Sequence, residues 1–289
     1  MRRIVRADEA HRQGITGKGI VAAVLDTGVA VHPDYTERVV FFKDYINSRT
    51  GQYDDYGHGT HVTGILAGNG KVSGQYRGIA PEAEIVHLKV LDQNGNGSRK
   101  DVLNGIYWVV KHYETYRIRI LNISVGTVRE GDVRDEALVE AVEKAWDAGI
   151  VVVVAAGNTG PAPGSVTAPG NSRKVITVGS SDDFGSFSAG RGPTRSCICK
   201  PDIVAPAAGI VSCGGRTSNG RWGYCRKSGT SMATPVVSGA AALLLSKEPW
   251  LTNVEVKMRL RETAVDLGMP HGRQGWGLLD IRRFCGLRG

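Results

Sequence analysis

The octapeptide SGTSMATP, Ser228 to Pro235, sets four hydroxyl side chains, Ser228, Thr230, Ser231 and Thr234, ahead of an apolar run from Val236 to Leu245. A serine or threonine hydroxyl can attack an acyl carbon, but only beside a base that takes its proton. The same residues are favoured helix caps, and the octapeptide alone allows both roles. The run that follows is rich in alanine and glycine and predicts a closely packed helix. Ser231 then falls at or near its N-terminus, where free N–H groups and the helix dipole stabilise negative charge. An oxyanion beside Ser231 could use the Ser231 N–H itself. Pro235 falls in about the first turn, where a missing N–H costs little.

A base is available in DDYGHGTHVTG, Asp54 to Gly64. His58 lies between two glycines, and an ordinary imidazole can accept and return a proton at neutral pH. His61 follows three residues later, but HGTH lacks the glutamate of the metalloprotease helix, so His61 reads as a packed, hydrogen-bonded residue and no metal is expected there. An acid stands in VLDTGV: Asp26, at the end of an apolar strand, needs a partner, and an imidazole is one. Asp-Thr-Gly is also the aspartic-protease signature, but that chemistry needs two carboxylates and no second copy occurs in the chain.

The elements that must position these groups alternate. Near-continuous apolar runs predict strands at Ile20–Leu25, Ala83–Leu91, Ile118–Val125 and Ile150–Ala156, a fifth in KVITVG, and short strands around Ile203 and Ile210. Helices are expected after Ser98, which with Asp101 forms a capping box, and over Asp135–Ala148, ended by Gly149. This alternation is that of an α/β fold, a doubly wound and mostly parallel sheet with helices on both faces. Ligands of such sheets bind outside the carboxyl ends of the strands, where Asp26, Ser124 and Asn158 all fall.

The 289 residues carry a formal charge of +8, but the basic residues are scattered and no nucleic-acid reader motif occurs, so nucleic acid is not expected as a partner. No stretch reaches the roughly 18 apolar residues of a membrane span, and no membrane partner is expected. The start, MRRIVRADEAHRQG, has no apolar signal region, which predicts a cytoplasmic address, with secretion as the alternative if a longer precursor is processed. The five cysteines, Cys197, Cys199, Cys213, Cys225 and Cys285, lack paired C-x-x-C spacing and read mostly as packed thiols in a reduced compartment.

Together, VLDTGV followed by His32-Pro33-Asp34, GHGTHVTGILAG, NISVG, VVAAGN and SGTSMATPVVSGAAALLL resemble the subtilisin-like serine proteases, in the order of that family and over about Gly17 to Phe284. GIAP and KPDIVAP resemble family segments as well. The likeness is nearer to intracellular-like bacterial members than to secreted ones. It implies a three-layer α/β/α peptidase domain over residues 1–289, without a visible pro-segment, that hydrolyses peptide bonds through an acyl-enzyme. A catalytically silent binding homologue is the alternative.

The resemblance implies Ser231 as nucleophile, His58 as base and later acid, Asp26 as orienting carboxylate, and Asn158 as side-chain donor to the oxyanion. It implies Ser124, Val125 and Gly126 as one wall of the pocket for the residue preceding the scissile bond (P1), with Ala155, Ala156 and Gly157 opposite. Extended polypeptides are the implied partners. Thr159, where some relatives carry a glutamate, points to a broad or apolar P1 preference. The chemistry implies no cofactor. Structural calcium occurs in many relatives, and Asp34 matches one ligand, but Lys71 and Arg77 in the companion loop oppose a cation.

Overall fold

The apolar runs become one sheet. The computed structural model describes residues 1–126, 135–183, 187–216 and 222–287. A short helix α1 (Ala7–Arg12) precedes β1 (Val21–Asp26), β2 (Val39–Asp44), α2 (His58–Ala67), β3 (Glu84–Lys89), α3 (Arg99–His112), β4 (Ile118–Ile123), α4 (Glu136–Asp147), β5 (Val151–Ala155), β6 (Ile176–Ser180) and β7 (Ile203–Ala205). The hairpin β8 (Ile210–Arg216) and β9 (Trp222–Lys227) leads into the long helix α5 (Thr230–Lys247), followed by α6 (Asn253–Thr263), α7 (His271–Gln274) and α8 (Ile281–Phe284).

Seven strands pair in parallel in the order β2-β3-β1-β4-β5-β6-β7. Every residue of β1 and β5 is buried, as continuous Val/Ala/Leu runs covered on both faces require. Helices α2 and α5 pack together, α3 and α4 pack together, and the sheet lies between the two layers, the three-layer α/β/α architecture expected. One buried cluster takes in Val5, Leu25, Ile123, Val154, Leu244 and Phe284, so both ends of the described chain contribute to it. From β1 the chain builds β2 and β3 to one side, and from β4 onward it builds to the other. The crevice between the carboxyl ends of β1 and β4 is therefore the switch point of the sheet, where α/β proteins bind ligands.

One strand was missed and two expectations need correction. The edge strand β2 was not legible: Val39–Asp44 is only half-buried, so no continuous apolar run marks it. Ser98 does cap α3, accepting from the Asp101 N–H at 3.1 Å, but the Asp101 carboxylate turns to the Ser98 hydroxyl and not to its backbone. The reciprocal capping box is at Thr252 and Glu255, opening α6. Finally, Pro235 lies inside α5, beyond the first turn. It removes the amide that would have bonded the Ser231 carbonyl, so that carbonyl loses its place in the helical ladder.

Candidate active site

Asp26 closes β1 and is fully buried; His58 is the first residue of α2. Their contact is direct: His58 Nδ1 lies 2.7 Å from Asp26 Oδ1. A carboxylate only accepts, so Nδ1 carries the hydrogen and Nε2 is left as the basic nitrogen. The Asp26 oxygen also accepts the Thr27 N–H at 2.8 Å. Such closeness needs Gly59: a Cβ there would sit 2.2 Å from the Gly28 carbonyl oxygen and 3.0 Å from the Asp26 Cβ. Burial lowers the His58 pKa, the Asp26 charge and hydrogen bond raise it, and the net value lies above the ordinary one.

Asp54 supports this corner, a role its sequence did not announce. Its carboxylate accepts from the backbone of Tyr56, Gly57 and Thr60 and from the hydroxyls of Thr27 and Thr60, at 2.7–3.1 Å. It thereby satisfies free donors at the start of α2 and fixes the loop that delivers His58. Thr27 extends the network, its hydroxyl accepting the Gly59 N–H at 2.9 Å. The legible signal was a carboxylate a few residues ahead of a helix start.

Ser231 is the second residue of α5, and Gly229, not a hydroxyl residue, occupies the cap position. The other three hydroxyls of the octapeptide bond to nearby backbone. Ser228 accepts from the Gly209 N–H, Thr234 donates to the Thr230 carbonyl, and Thr230 donates towards the Gly157 carbonyl. The Ser231 hydroxyl donates to the Ser124 carbonyl at 2.8 Å, just past the end of β4. Ser124 is itself anchored, its hydroxyl accepting from Asn122 at 2.9 Å while Ser238 of α5 donates to the Asn122 oxygen at 2.8 Å. Asn122 and Ser238 tie α5 to β4, and neither was a sequence candidate.

Asn158 follows β5. Its side-chain oxygen accepts the Thr230 N–H at 2.9 Å. An amide N–H can only donate, so the oxygen must face Thr230, and the Asn158 NH₂ is turned away from it. Val125 is half-buried and Gly126 exposed beyond β4; Ala155 and Ala156 are buried and Gly157 half-buried beside Asn158. His61 is fully buried, with Nε2 donating towards the Ile210 and Cys225 carbonyls at 3.1 Å, and burial lowers its pKa to about 4.

The donor set around Asp34 does not fit calcium. His32, Asp34 and Cys213 come together, fully buried or nearly so. The Asp34 carboxylate already accepts from the Val72 N–H at 3.0 Å, the Tyr224 hydroxyl at 2.7 Å and the Cys213 thiol at 3.6 Å. Burial, reinforced by Asp34, pushes the Cys213 and Tyr224 pKa values well up, so both stay protonated donors. A cation needs acceptors here, and these neighbours donate. Lys71 pairs with Glu37 at 3.9 Å, so the donors, more than the loop cations, fill the site. Of the cysteines, Cys213 and Cys285 are buried, Cys225 is half-buried, and Cys197 and Cys199 are exposed; all five are free thiols.

The model of the subtilase family matches residues 17–277. The chain belongs to the subtilase family. It is 44% identical over 282 residues to serine protease AprX of Bacillus subtilis, covering 88% of this chain and 64% of that protein's length. A thermostable alkaline protease of Halalkalibacterium halodurans is 38% identical, covering 96% of this chain and 71% of its own. Subtilisin Savinase of Lederbergia lenta is 35% identical over 96% and 94%. A solved cold-adapted subtilisin-like serine proteinase superposes with a TM-score of 0.74 at 31% identity, covering 92% of this chain and 90% of that one. By class this subtilase is a subtilisin-like serine protease, whose chemistry calls for no cofactor. The cytoplasmic expectation is corrected: the subtilisins and alkaline proteases among its relatives are secreted enzymes, which favours the secreted alternative. Absence of an apolar leader was the ground for that expectation, and it says nothing of how the chain is made. Among the described residues no helix is long and apolar enough to cross a membrane.

Proposed function

We propose that this subtilase hydrolyses internal peptide bonds of extended polypeptides, with Ser231 as nucleophile, His58 as proton carrier and Asp26 as the group that orients it. The observation that carries this reading is the 2.7 Å contact between His58 Nδ1 and Asp26 Oδ1, which leaves Nε2 free to take a proton. The Ser231 hydroxyl, held on the Ser124 carbonyl, rotates towards Nε2 when substrate enters. Its oxygen attacks the scissile carbonyl carbon as the proton passes to His58. The oxyanion that forms receives the Asn158 NH₂ and the Ser231 N–H. His58 then gives its proton to the departing amine, leaving an acyl-serine that water hydrolyses by the same route. Ser124, Val125 and Gly126 line one side of the P1 pocket and Ala155, Ala156 and Gly157 the other. Strand-like pairing with the substrate backbone reads few side chains, and the neutral Thr159 offers no charge to a basic P1, so the preference is broad or apolar.

Casein hydrolysis by the wild type, by the wild type treated with phenylmethylsulfonyl fluoride, and by Ser231→Ala tests this. Cleavage by the wild type alone is expected. Cleavage that survives the substitution would overturn the assignment of the nucleophile, and an inactive wild type that takes no inhibitor would favour a silent binding protein.

A further inference from the structure

Behind Asp26, β3 carries a histidine that the catalytic steps above do not use. His87 pairs with Val24 of β1, two residues before Asp26. Residues level with one another in a sheet, and residues two apart along a strand, share a face, so His87 and Asp26 project from the same side. Helix α2 covers that side, with the Thr63 hydroxyl 3.4 Å from His87 Nδ1. The Gly59 position touches both residues: a Cβ there would lie 3.0 Å from Asp26 Cβ and 3.1 Å from His87 Cε1. Phe42 of β2 stacks on the imidazole with ring centroids 6.3 Å apart, and His87 is fully buried.

Two buried atoms of this corner have no hydrogen-bond partner among the described residues, Asp26 Oδ2 and His87 Nε2. Asp26 Oδ1, by contrast, is close to His58 Nδ1 and accepts the Thr27 N–H. An unpaired carboxylate oxygen and an unpaired ring nitrogen buried side by side are costly, and one hydrogen bond answers both. Only one tautomer suits it. With Nδ1 accepting from the Thr63 hydroxyl, Nε2 carries the hydrogen and offers a donor to the nearby negative charge, whereas the other tautomer would set a lone pair against that charge. Burial lowers the His87 pKa to about 4, against the pull of Asp26 and Asp54 and with the help of Lys89, so the ring is neutral at neutral pH.

We propose that His87 is a positioning residue for the reaction, donating from Nε2 towards Asp26 Oδ2 so that the carboxylate is held by His58 at one oxygen and by His87 at the other. A small turn of either side chain, or one bridging water, closes the contact. The proposal rests on the protease reading above, in which Asp26 orients His58. Holding the second oxygen fixes the plane of the carboxylate and hence the His58 ring. It also draws charge from Oδ1, which restrains the basicity that Asp26 confers on His58.

The test has two arms. In Ser231→Ala labelled with [15N]histidine, and compared with the same protein carrying His87→Gln to assign the signal, His87 should appear as the neutral Nε2–H tautomer at neutral pH. A neutral Nδ1–H ring, or a protonated one, overturns the proposal. In the second arm, kcat, KM and pH profiles on a succinyl-tetrapeptide p-nitroanilide are measured for wild type, His87→Leu and His87→Gln, with active sites counted by a fluorophosphonate and folding checked by thermal melting. Of the charged groups nearby, Asp26, Asp54 and Lys227 act on His58 and Asp26, Asp54 and Lys89 on His87, and all are kept in these variants. His87→Leu fills the space without a donor and should lower kcat about tenfold at unchanged KM, while the acid limb of the profile moves up in pH. His87→Gln sets an amide donor about where Nε2 stands and should recover most of kcat and return the limb. Kinetics in His87→Leu that match the wild type, or equal losses in both variants, overturn the role of His87 and leave the protease reading standing. A wild type that neither labels nor cleaves overturns both.

Discussion

His58 answers to two opposed influences. Burial lowers its pKa, Asp26 raises it, and Asp26 prevails. In the proposed mechanism the imidazole must be neutral to accept the Ser231 proton, so activity should be lost as pH falls through a pKa above the ordinary value of about 6.5. The acid limb of kcat/KM should therefore lie above that value. In Asp26→Asn the limb should move down, because the charge that raises the pKa is gone, and kcat should fall by about 10⁴ as the imidazole loses its tautomer. A limb that does not move between the two proteins would show that some other group titrates. Asn158→Ala should lower kcat by about 10²–10³ with little change in KM, a magnitude established on subtilisin, a member of this same family. An equal rise in KM would instead mean that the amide holds the ground-state substrate.

Among elements, the start of α2 depends on one carboxylate, since Asp54 receives three backbone N–H groups and two hydroxyls. Asp54→Ala should cost about 1–3 kcal/mol of stability and also lower kcat through a misplaced His58. Urea unfolding of the inactivated protein together with steady-state rates would measure both, and unchanged rates would show that the loop holds His58 without Asp54. The same corner marks what a linear reading can and cannot find. Asp26, His58 and Ser231 stood out because their residue types and flanking glycines carry chemistry locally, and β1, β4 and β5 stood out because both of their faces are buried. Asn122 and Ser238 are ordinary polar residues whose pairing exists only after β4 and α5 meet, whereas Asp54 serves mainly its own loop and its signal, a carboxylate just ahead of a helix start, went unread. The edge strand β2 was missed for the opposite reason: half-exposed, it leaves no apolar signature. The helix expected over Asp135–Ala148 was found within a residue at each end, since its apolar stripe, with Leu138, Ala141, Val142 and Ala145 buried, repeats at helical spacing.

For the molecule as a whole, acid is the exposed flank. His61 and His87 are fully buried, and burial lowers the pKa of each to about 4. Their pKa is lower folded than unfolded, so the unfolded chain binds more protons between about pH 6.5 and pH 4, and stability falls as pH falls through that range. Each should cost on the order of 3 kcal/mol by pH 4. Thermal melts of Ser231→Ala, which avoid self-digestion, should drop steeply below pH 6; a flat profile would contradict neutral burial of the two rings. Chelation is not a second weakness. With Asp34 held by Tyr224, Cys213 and Val72, EDTA should leave the melting temperature unchanged, whereas Tyr224→Phe should lower stability by about 1–3 kcal/mol. A large EDTA-induced drop would mean that a cation is bound after all.

The strand order has a kinetic corollary. Of the proposed catalytic groups, Asp26 comes from the third strand across the sheet and Ser231 from a helix laid down after all seven strands. Parallel pairings between remote segments form slowly, because long loops must close first. A chain caught midway through refolding therefore holds no complete cutting apparatus, and proteolytic power should return last, trailing the recovery of helical circular dichroism. Slow assembly of this kind spares a protease from digesting its own unfinished copies.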